Sequence, residues 1–289
     1  MLDFEDFKNS IETPISIKKI IKKTASFLIS NNVSNAKNEI RWYLEKLYNC
    51  NSVNFHNLKK LDKTDNNYHK ILSFVKKRFS GVPFQHLMNN ASFYGRDFFV
   101  SNKVLIPRPE TELIVDVLKG KKYSRLLDIG TGSGCLAITV ILENIASFVD
   151  AIDISNDAIK VAKKNYQLLK ARNINFFKTD ILKESLSYKY DVIVSNPPYI
   201  SKKEYNLLSS GVKDYEPYNA LTDFDDGYSF YRRYSKIMKA LLNAGGLAVF
   251  EVSHFFSKEK IAEIFKDFSS ISFHKDLNND LRVVSIINE

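Results

Sequence analysis

Two kinds of hydrophobic spacing divide the 289-residue chain, and the change falls near residue 108. In the first part, apolar residues recur every three or four positions, as they do in helices that bury one face. Stripes of this kind contain Ile20, Ile40 and Ile71. The spacing predicts a small helical bundle over residues 1–82, which is long enough to have its own core.

From residue 108 onward, short apolar runs alternate with amphipathic segments. This alternation is typical of βαβ units and of a mostly parallel sheet with helices on both faces. Only a short loop around Asn279 separates the last two runs, so they are predicted to pair as an antiparallel hairpin. The predicted strands are residues 125–129, 148–152, 174–177, 191–195, 247–252, 271–274 and 283–287, and the predicted helices are residues 133–144, 156–170 and 228–243.

The segment between these two parts, residues 83–107, is rich in Phe, Tyr and Asn. Within it, Gly95 and the following Arg96-Asp97 lie between aromatic runs, which favours a tight turn between two short strands. We interpret residues 83–107 as a β-hairpin linker between the helical bundle and an α/β domain of residues 108–289.

The composition excludes several classes of protein. With 44% hydrophobic and 26% charged residues, the chain is typical of globular domains. No run approaches the roughly 18 apolar residues of a membrane helix, and the N-terminus lacks the pattern of a secretory signal. Cys50 and Cys135 are two isolated cysteines, which indicates neither a disulfide framework nor a metal site. We expect a cytoplasmic protein without a metal or a membrane partner.

Positive charge is concentrated in the first third of the chain. Residues 1–105 contain 17 Lys and Arg against 9 Asp and Glu, and so carry most of the formal net charge of +9. Solvated helix faces would explain this excess. It would equally suit a surface that faces an acidic or nucleic-acid-bearing partner.

The motif Asn196-Pro197-Pro198-Tyr199 follows the apolar run of residues 190–195, which reads as a buried strand. Two prolines end the strand and stiffen the turn. They fix an amide side chain and a backbone carbonyl at the carboxyl end of a strand, where open α/β sheets bind ligands. An Asn oxygen and a nearby carbonyl can together accept both hydrogens of one planar –NH2 group. The motif therefore indicates a site for a conjugated amine.

A glycine loop of Gly130, Thr131, Gly132, Ser133 and Gly134 connects the first strand of the α/β part to a helix. Its G-x-G-x-G spacing differs from the G-x-G-x-x-G of dinucleotide-binding enzymes. Glycines let a ligand approach the backbone closely, although a tight turn without a ligand would explain the same residues.

Two acidic residues follow the next two strands. Asp153 lies 23 residues beyond Gly130, close to the spacing of an acid that binds ribose hydroxyls. It could also cap the helix that begins at Asn156, and the two roles are compatible. Asp180 could accept a hydrogen bond from an adenine amino group while Ile181 packs on the ring. A surface turn is the alternative for these two residues.

Together, the glycine loop, Asp153, the Asp180-Ile181 pair and the NPPY motif resemble the class I S-adenosylmethionine-dependent methyltransferases. The resemblance covers residues 108–289 and implies a Rossmann-like domain with a seven-stranded, mostly parallel sheet that ends in an antiparallel hairpin. It also implies that S-adenosyl-L-methionine is the cofactor and S-adenosyl-L-homocysteine the product. In that family, NPPY marks transfer to an amino nitrogen on an sp² carbon, with the Asn also facing the cofactor.

The segment Leu105-Ile106-Pro107-Arg108-Pro109-Glu110-Thr111-Glu112 precedes the glycine loop by about twenty residues. The prolines and acids alone suit a rigid helix start. Combined with the other motifs and the helical first domain, the segment is similar to that of the glutamine methyltransferases of peptide chain release factors, the HemK/PrmC family. That resemblance implies methylation of the Gln side-chain amide in the Gly-Gly-Gln motif of bacterial release factors. It further implies a monomer whose helical domain docks this protein substrate.

The chain departs from this family at three places. Val82 replaces a usual glutamate before Pro83, His86-Leu87-Met88-Asn89 replaces an aromatic-aliphatic-x-Gly pattern, and residues 251–256 keep the glutamate of Glu-x-Gly-x-x-Gln but lose its glycine and glutamine. These differences concern the linker and the loop after the fifth strand, and leave the glycine loop and NPPY intact.

Two other substrates remain open for an NPPY methyltransferase. A ribosomal-protein glutamine methyltransferase would share much of the catalytic domain. An adenine amino-methyltransferase of DNA or RNA would also act on a planar amine, but the sequence has no recognition domain beyond the bundle and no basic-aromatic stripe to hold a flipped base. We therefore expect no direct nucleic-acid substrate.

Overall fold

The computed structural model describes residues 3–208 and 210–289. The chain forms two compact units: the first ends at Met88, and the second comprises Asn89–Glu289. The segment predicted as a linker is shared between them, because residues 83–88 belong to the first unit and residues 89–107 to the second. Among the described residues, no helix is both long and apolar enough to cross a bilayer.

The described part of the first unit is helical, as the three-to-four-residue spacing predicts. Ile20, Ile40 and Ile71 are each fully buried, so the three predicted stripes face one core. Its helices are α1 Phe4–Asn9, α2 Ile17–Ser30, α3 Ala36–Tyr48, α4 Asn66–Phe79 and α5 Phe84–Met88, with a 3-10 turn at Ser52–Asn57.

An ion pair between α3 and α4 anchors the end of the helical unit. Arg78 Nε donates to Glu39 Oε2 over 2.7 Å, and Arg78 Nη1 donates to the Val82 carbonyl over 3.1 Å. Val82 takes part in this contact through its backbone carbonyl, which every residue type has. The contact therefore does not depend on the glutamate that is usual at this position.

The predicted hairpin consists of β1 Ala91–Phe93 and β2 Arg96–Phe98, which pair in antiparallel register. Tyr94 and Gly95 both have positive φ, which is the backbone of a tight hairpin turn. The Tyr94 amide donates to Glu112 Oε1 over 2.7 Å, so the hairpin is tied to α6 Glu112–Leu118, which follows a 3-10 turn at Pro109–Thr111.

A seven-stranded sheet forms the centre of the second unit, in the order β5-β4-β3-β6-β7-β9-β8. Neighbours from β5 to β7 are parallel, whereas β9 pairs antiparallel with both β7 and β8. The predicted sheet with its terminal hairpin is confirmed. The strands are β3 Tyr123–Ile129, β4 Ala146–Asp153, β5 Ile174–Lys178, β6 Tyr190–Ser195, β7 Leu242–Glu251, β8 Ser270–Lys275 and β9 Leu281–Asn288.

Helices cover both faces of the sheet. One apolar cluster includes side chains of α12 and α13, and the cluster on the other face includes side chains of α6 and α7. The helix predicted for residues 133–144 begins two residues later than predicted, at Cys135, because Ser133 and Gly134 belong to the loop. The helices are α7 Cys135–Leu142, α8 Asn156–Leu168, α9 Lys202–Tyr205, α10 Ser210–Lys213, α11 Tyr218–Leu221, α12 Ser229–Leu241 and α13 Lys258–Ile264.

The strand order reverses between β3 and β6, which defines the switch point of the sheet. From β3 the chain builds outward through β4 and β5, and from β6 it builds the opposite way through β7. In open α/β sheets, ligands bind at the carboxyl ends of the strands at such a point. The glycine loop follows β3 and the NPPY motif follows β6, so the fold places both motifs there.

Candidate active site

The two motifs leave the sheet side by side. Ile129 at the end of β3 is the register partner of Ser195 at the end of β6. The Ser195 hydroxyl donates to the Ile129 carbonyl over 2.7 Å and also contacts the Tyr234 hydroxyl at 2.9 Å. Gly130 and Asn196 therefore begin their loops at the same level of the sheet.

A cavity of about 210 Å³ opens at this edge. It brings together most of the residues that the sequence predicts for the site, from four successive loops after β3, β4, β5 and β6. The predicted residues that line it are Gly130, Thr131, Gly132, Ser133, Asp153, Asp180, Ile181, Asn196, Pro197 and Pro198.

Two predicted residues, Gly134 and Tyr199, lie outside this lining. Gly134 precedes α7 with φ of +80°, and a Cβ there would lie 3.1 Å from the Ala162 Cβ, so its glycine allows α7 and α8 to pack closely. Tyr199 instead lines a second cavity, and its hydroxyl donates to Glu251 Oε1 over 3.2 Å.

Asp153 holds the glycine loop through its carboxylate. Its Oδ2 accepts the Gly132 amide over 2.9 Å, and its Oδ1 accepts the Ser155 amide over 2.8 Å. The additional role of Asp153 as a helix cap is wrong, because the Ser155 side chain caps α8 by accepting the Ala158 amide. Burial raises the pKa of the Asp153 carboxyl, and its hydrogen bonds from the Ser155 and Gly132 amides oppose the rise.

Asp180 and Ile181 form the turn that the sequence offered as one alternative, and their role toward adenine stays a prediction. In this turn, Asp180 Oδ1 accepts the Leu182 amide over 3.1 Å and Oδ2 lies 3.3 Å from Lys183 Nζ. They also line the cavity, with the Ile181 side chain buried. An apolar side chain beside a carboxylate suits a flat base that carries an amino group.

Asp128, the penultimate residue of β3, is a further carboxylate of the cavity and was not among the predicted site residues. Its Oδ2 accepts from Thr131 Oγ1 over 2.7 Å and from the Ala137 amide over 3.2 Å. Within the described chain, its buried Oδ1 has no hydrogen-bond partner. Burial raises the pKa of this carboxyl to about 7, and these hydrogen bonds oppose the rise.

These observations fit the cofactor that the sequence implies. S-adenosylmethionine carries a positive charge and presents amino groups and ribose hydroxyls as donors. The cavity offers three carboxylates, Asp128, Asp153 and Asp180, of which the first has an unpartnered buried oxygen. A Cβ on Gly130 would meet no protein atom within 4 Å, so the loop leaves space along its backbone.

Asn196 belongs to a chain of hydrogen bonds that reaches the end of β7. Its Nδ2 donates to Thr111 Oγ1 over 2.9 Å, and Thr111 Oγ1 donates to Glu251 Oε2 over 2.5 Å. Ser195 is the register partner of Phe250, so Glu251 lies beside Asn196 at the carboxyl edge. Thr111 and Glu251 are both almost completely buried. Burial raises the pKa of the Glu251 carboxyl to about 7.

A second polar contact lies at the edge of the cavity. Arg108 Nη2 lies 2.6 Å from Glu216 Oε1, and Glu216 Oε2 accepts the Ile106 amide over 3.1 Å. Glu216 is buried, whereas Arg108 lines the cavity. The pair attaches the segment before α6 to the loop before α11.

Sequence reasoning assigned no site role to Thr111, Glu216 or Glu251. A signal was available for Glu251, because a lone acid at the end of an apolar strand points to the same edge as NPPY. Thr111 lies in the segment of residues 105–112 that resembles the glutamine methyltransferases, but a threonine at this position also suits a helix start. Glu216 lies in a loop without periodicity, and we find no local signal for it.

Comparisons with known proteins agree with the fold. A family model described as "Methyltransferase small domain" matches residues 108–212. A methyltransferase structure from Pyrococcus furiosus superposes with a TM-score of 0.52 at 18% identity, and the match covers 77% of this chain and 98% of that one. At this identity the superposition supports the fold alone.

Sequence relatives define the family. The "Release factor glutamine methyltransferase" of Fusobacterium nucleatum is 36% identical over 276 residues, which cover 92% of this chain and 77% of that protein. The protein of the same name from Bacillus subtilis is 39% identical over 223 residues, which cover 73% of this chain and 77% of that protein. The chain therefore belongs to the release factor glutamine methyltransferase family of S-adenosylmethionine-dependent enzymes.

Proposed function

We propose that this protein methylates the side-chain amide nitrogen of the glutamine in the Gly-Gly-Gln motif of peptide chain release factors. The observation that carries the proposal is the orientation of Asn196, whose nitrogen donates to Thr111 and whose oxygen has no donor from the described protein residues. An unpaired amide oxygen beside the cavity is an acceptor for a substrate –NH2 group.

The lining of the cavity supports an assignment of cofactor contacts to individual residues. Asp153 would accept from ribose hydroxyls, Asp180 from the adenine amino group, and Ile181 would pack on the base. The backbone of the glycine loop, with Thr131 and Ser133, would form the adjoining wall. When bound, S-adenosylmethionine supplies a methyl group on a sulfonium, which is a good leaving group.

Asn196 and Pro197 would orient the acceptor. An amide nitrogen is a poor nucleophile because its lone pair is delocalised into the carbonyl. Acceptance of both amide hydrogens by Asn196 Oδ1 and the Pro197 carbonyl would fix the direction of that lone pair and stabilise positive charge as it grows on nitrogen. Pro198 would keep the turn rigid, and Tyr199 would pack beside the flat amide. Alignment of this kind contributes up to about 7–11 kcal/mol in favourable cases.

The helical first unit would dock the release factor. It carries most of the net positive charge, and Lys18, Lys19, Lys22 and Lys23 are exposed on α2. A basic surface of this kind suits an acidic protein partner and speeds its association.

The two rival substrates have weaker support. A ribosomal protein would also present a glutamine amide, but the relatives compared above carry the name of release factor enzymes. A nucleic-acid adenine would have to be flipped out of its helix and held by the enzyme. The sequence has no basic-aromatic stripe that would hold such a base.

A transfer assay with labelled cofactor tests the proposal. The enzyme is incubated with radiolabelled S-adenosylmethionine and either a release factor, its Gly-Gly-Gln glutamine-to-alanine variant, ribosomes or DNA. We expect label in the intact release factor and none in the alanine variant.

The other outcomes would argue against the glutamine of the release factor as the acceptor. Label in ribosomes would favour the ribosomal-protein reaction, and label in DNA would favour the adenine reaction. Label in the alanine variant at the level of the intact factor would reject the glutamine as acceptor.

A further inference from the structure

An asparagine amide can lie in two orientations that exchange its oxygen and its nitrogen. Only one of them turns the oxygen of Asn196 toward an incoming –NH2 group. In the other, the Asn196 nitrogen would meet the substrate nitrogen, so two donors would oppose each other. NPPY contains nothing that selects the productive orientation by itself, so the selection must come from neighbouring residues.

The hydrogen bonds around Thr111 have one direction as long as Glu251 Oε2 is an acceptor. The Thr111 hydroxyl has one hydrogen, which is directed at Glu251 Oε2 over 2.5 Å. The lone pairs of the same oxygen are then left for Asn196, and they can accept only from Nδ2, at 2.9 Å. An ionised Glu251 accepts at both oxygens. A neutral one still has a carbonyl oxygen for Thr111 and can donate its proton to the Tyr199 hydroxyl.

The position of Thr111 in the fold supports this assignment. Thr111 occupies the N-cap position of α6, where a threonine hydroxyl commonly accepts a backbone amide. Here it makes no cap hydrogen bond. The hydroxyl is buried, and its hydrogen bonds are with Asn196 and Glu251. Glu251 also accepts the Tyr199 hydroxyl, so one carboxyl group is linked to Tyr199 directly and to Asn196 through Thr111.

We propose that Thr111 and Glu251 are positioning residues that select the amide orientation of Asn196 and thereby make the site take a primary amide. The inference rests on the proposed function of Asn196 as acceptor of the substrate amide. It also explains selection between glutamine and glutamate. A glutamate carboxylate would present only acceptors to Asn196 Oδ1 and the Pro197 carbonyl, and these groups would repel one another.

Two substitutions at one position test the hydroxyl. Thr111→Val keeps the shape and removes the hydroxyl, and we expect kcat to fall by about tenfold or more, as for other lost transition-state contacts. Thr111→Ser keeps the hydroxyl and should restore kcat to within about threefold of the wild type. Affinity for S-adenosylhomocysteine, measured by calorimetry, should stay within about threefold of the wild type in both, since a contact to substrate acts on the chemical step.

Thr139→Val is the matched control. Thr139 is buried in α7, and within the described chain its hydroxyl has no hydrogen-bond partner. The same chemical change therefore removes no contact there, and kcat should remain that of the wild type. Melting temperatures of all three variants identify any loss of folding.

A readout independent of activity is the side-chain amide signal of Asn196 in a ¹⁵N-asparagine-labelled protein, assigned by its loss in Asn196→Asp. The Thr111→Val variant should shift this signal and increase its exchange with water, whereas Thr111→Ser should preserve it. The proposal is rejected by full kcat and an unchanged amide signal in Thr111→Val, or by a Thr111→Ser enzyme as slow as the valine variant. A wild-type enzyme that does not label the release factor would reject the proposed function, and the amide signal would still test the orientation.

Discussion

Gly227 lies against the carbonyl oxygen of Tyr199, and a Cβ on Gly227 would approach that oxygen to 2.5 Å. Gly227 has φ of +88°, which other residues rarely adopt. The loop before α12 therefore packs closely against the backbone of the last residue of the NPPY turn.

Replacement of Gly227 by alanine should move the NPPY turn. Both Gly227→Ala and Gly120→Ala place a side chain at positive φ, at +88° and +84°, and each should cost about 1–3 kcal/mol from strain. A Cβ on Gly120 meets nothing within 4 Å, so Gly120→Ala should keep its activity. Only Gly227→Ala should lose kcat. Steady-state assays would measure kcat, and denaturant unfolding would measure the stability of the two variants. Equal activity of the two variants would contradict an effect of this packing on the NPPY turn.

Loss of the Asn196 side chain should separate catalysis from cofactor binding. Asn196→Ala removes the proposed acceptor of the substrate amide, and kcat should fall by about a hundredfold or more. S-adenosylhomocysteine should still bind within about threefold of the wild type, because the carboxylates of the cavity are unchanged. Single-turnover transfer and calorimetry measure the two quantities, and retained turnover would refute the assignment.

Asp153 should show the opposite behaviour. Asp153→Asn removes the charge and one acceptor beside the glycine loop, so affinity for S-adenosylmethionine should fall by about tenfold, with kcat at saturating cofactor close to that of the wild type. Asp157→Asn is the matched control, since Asp157 is half-buried in the first turn of α8 and pairs with Lys160. If both variants bind the cofactor as tightly as the wild type, Asp153 does not contact it.

Glu251 should make stability depend on pH. Burial raises its pKa from 4.5 to about 7, so between these values the folded protein holds a proton that the unfolded chain lacks. The stability contributed by Glu251 should therefore rise as pH falls from 8 to 5. Each unit of pKa corresponds to about 1.4 kcal/mol.

Comparison with Glu251→Gln isolates this effect. The groups that face the carboxyl are Thr111 and Tyr199 as hydrogen-bond donors, with Glu110 raising its pKa and Arg282 lowering it. The difference in unfolding free energy, wild type minus variant, should grow toward pH 5 in urea titrations. Asp128 is present in both proteins, so its own titration cancels. A difference that is constant from pH 8 to pH 5 would show that Glu251 is ionised throughout.

The basic first unit should make release factor binding sensitive to salt. The double substitution Lys18→Glu and Lys19→Glu should raise the KM for the release factor and weaken its dependence on ionic strength, because fewer favourable charges remain to be screened. Lys266→Glu, at an exposed lysine of the second unit, controls for charge reversal as such. Binding that is insensitive to salt in the wild type would argue against charge as the driving force.

Several elements were predictable because burial is periodic along a local segment. The spacing of Ile20, Ile40 and Ile71 predicted buried helix faces, and the apolar runs predicted all seven strands of the large sheet. The predicted ends of helices were less accurate than the strands. Gly134 has a left-handed backbone, so α7 begins after it and not at Ser133 as predicted. The one-turn helices α9, α10 and α11 are too short for a periodicity to develop.

The sequence by itself determined the seven strands of the large sheet and the helices α7, α8 and α12, since each depends on a local pattern. It likewise determined that the glycine loop, NPPY, Asp153 and Asp180 lie at or just beyond the carboxyl ends of strands. Tertiary structure alone decided that Thr111 and Glu251, 140 residues apart, meet beside Asn196. That meeting requires the register of β6 against β7 and the packing of the segment before α6 over the sheet edge. A single polar side chain has no periodicity, so its partner becomes defined only when distant segments pack together.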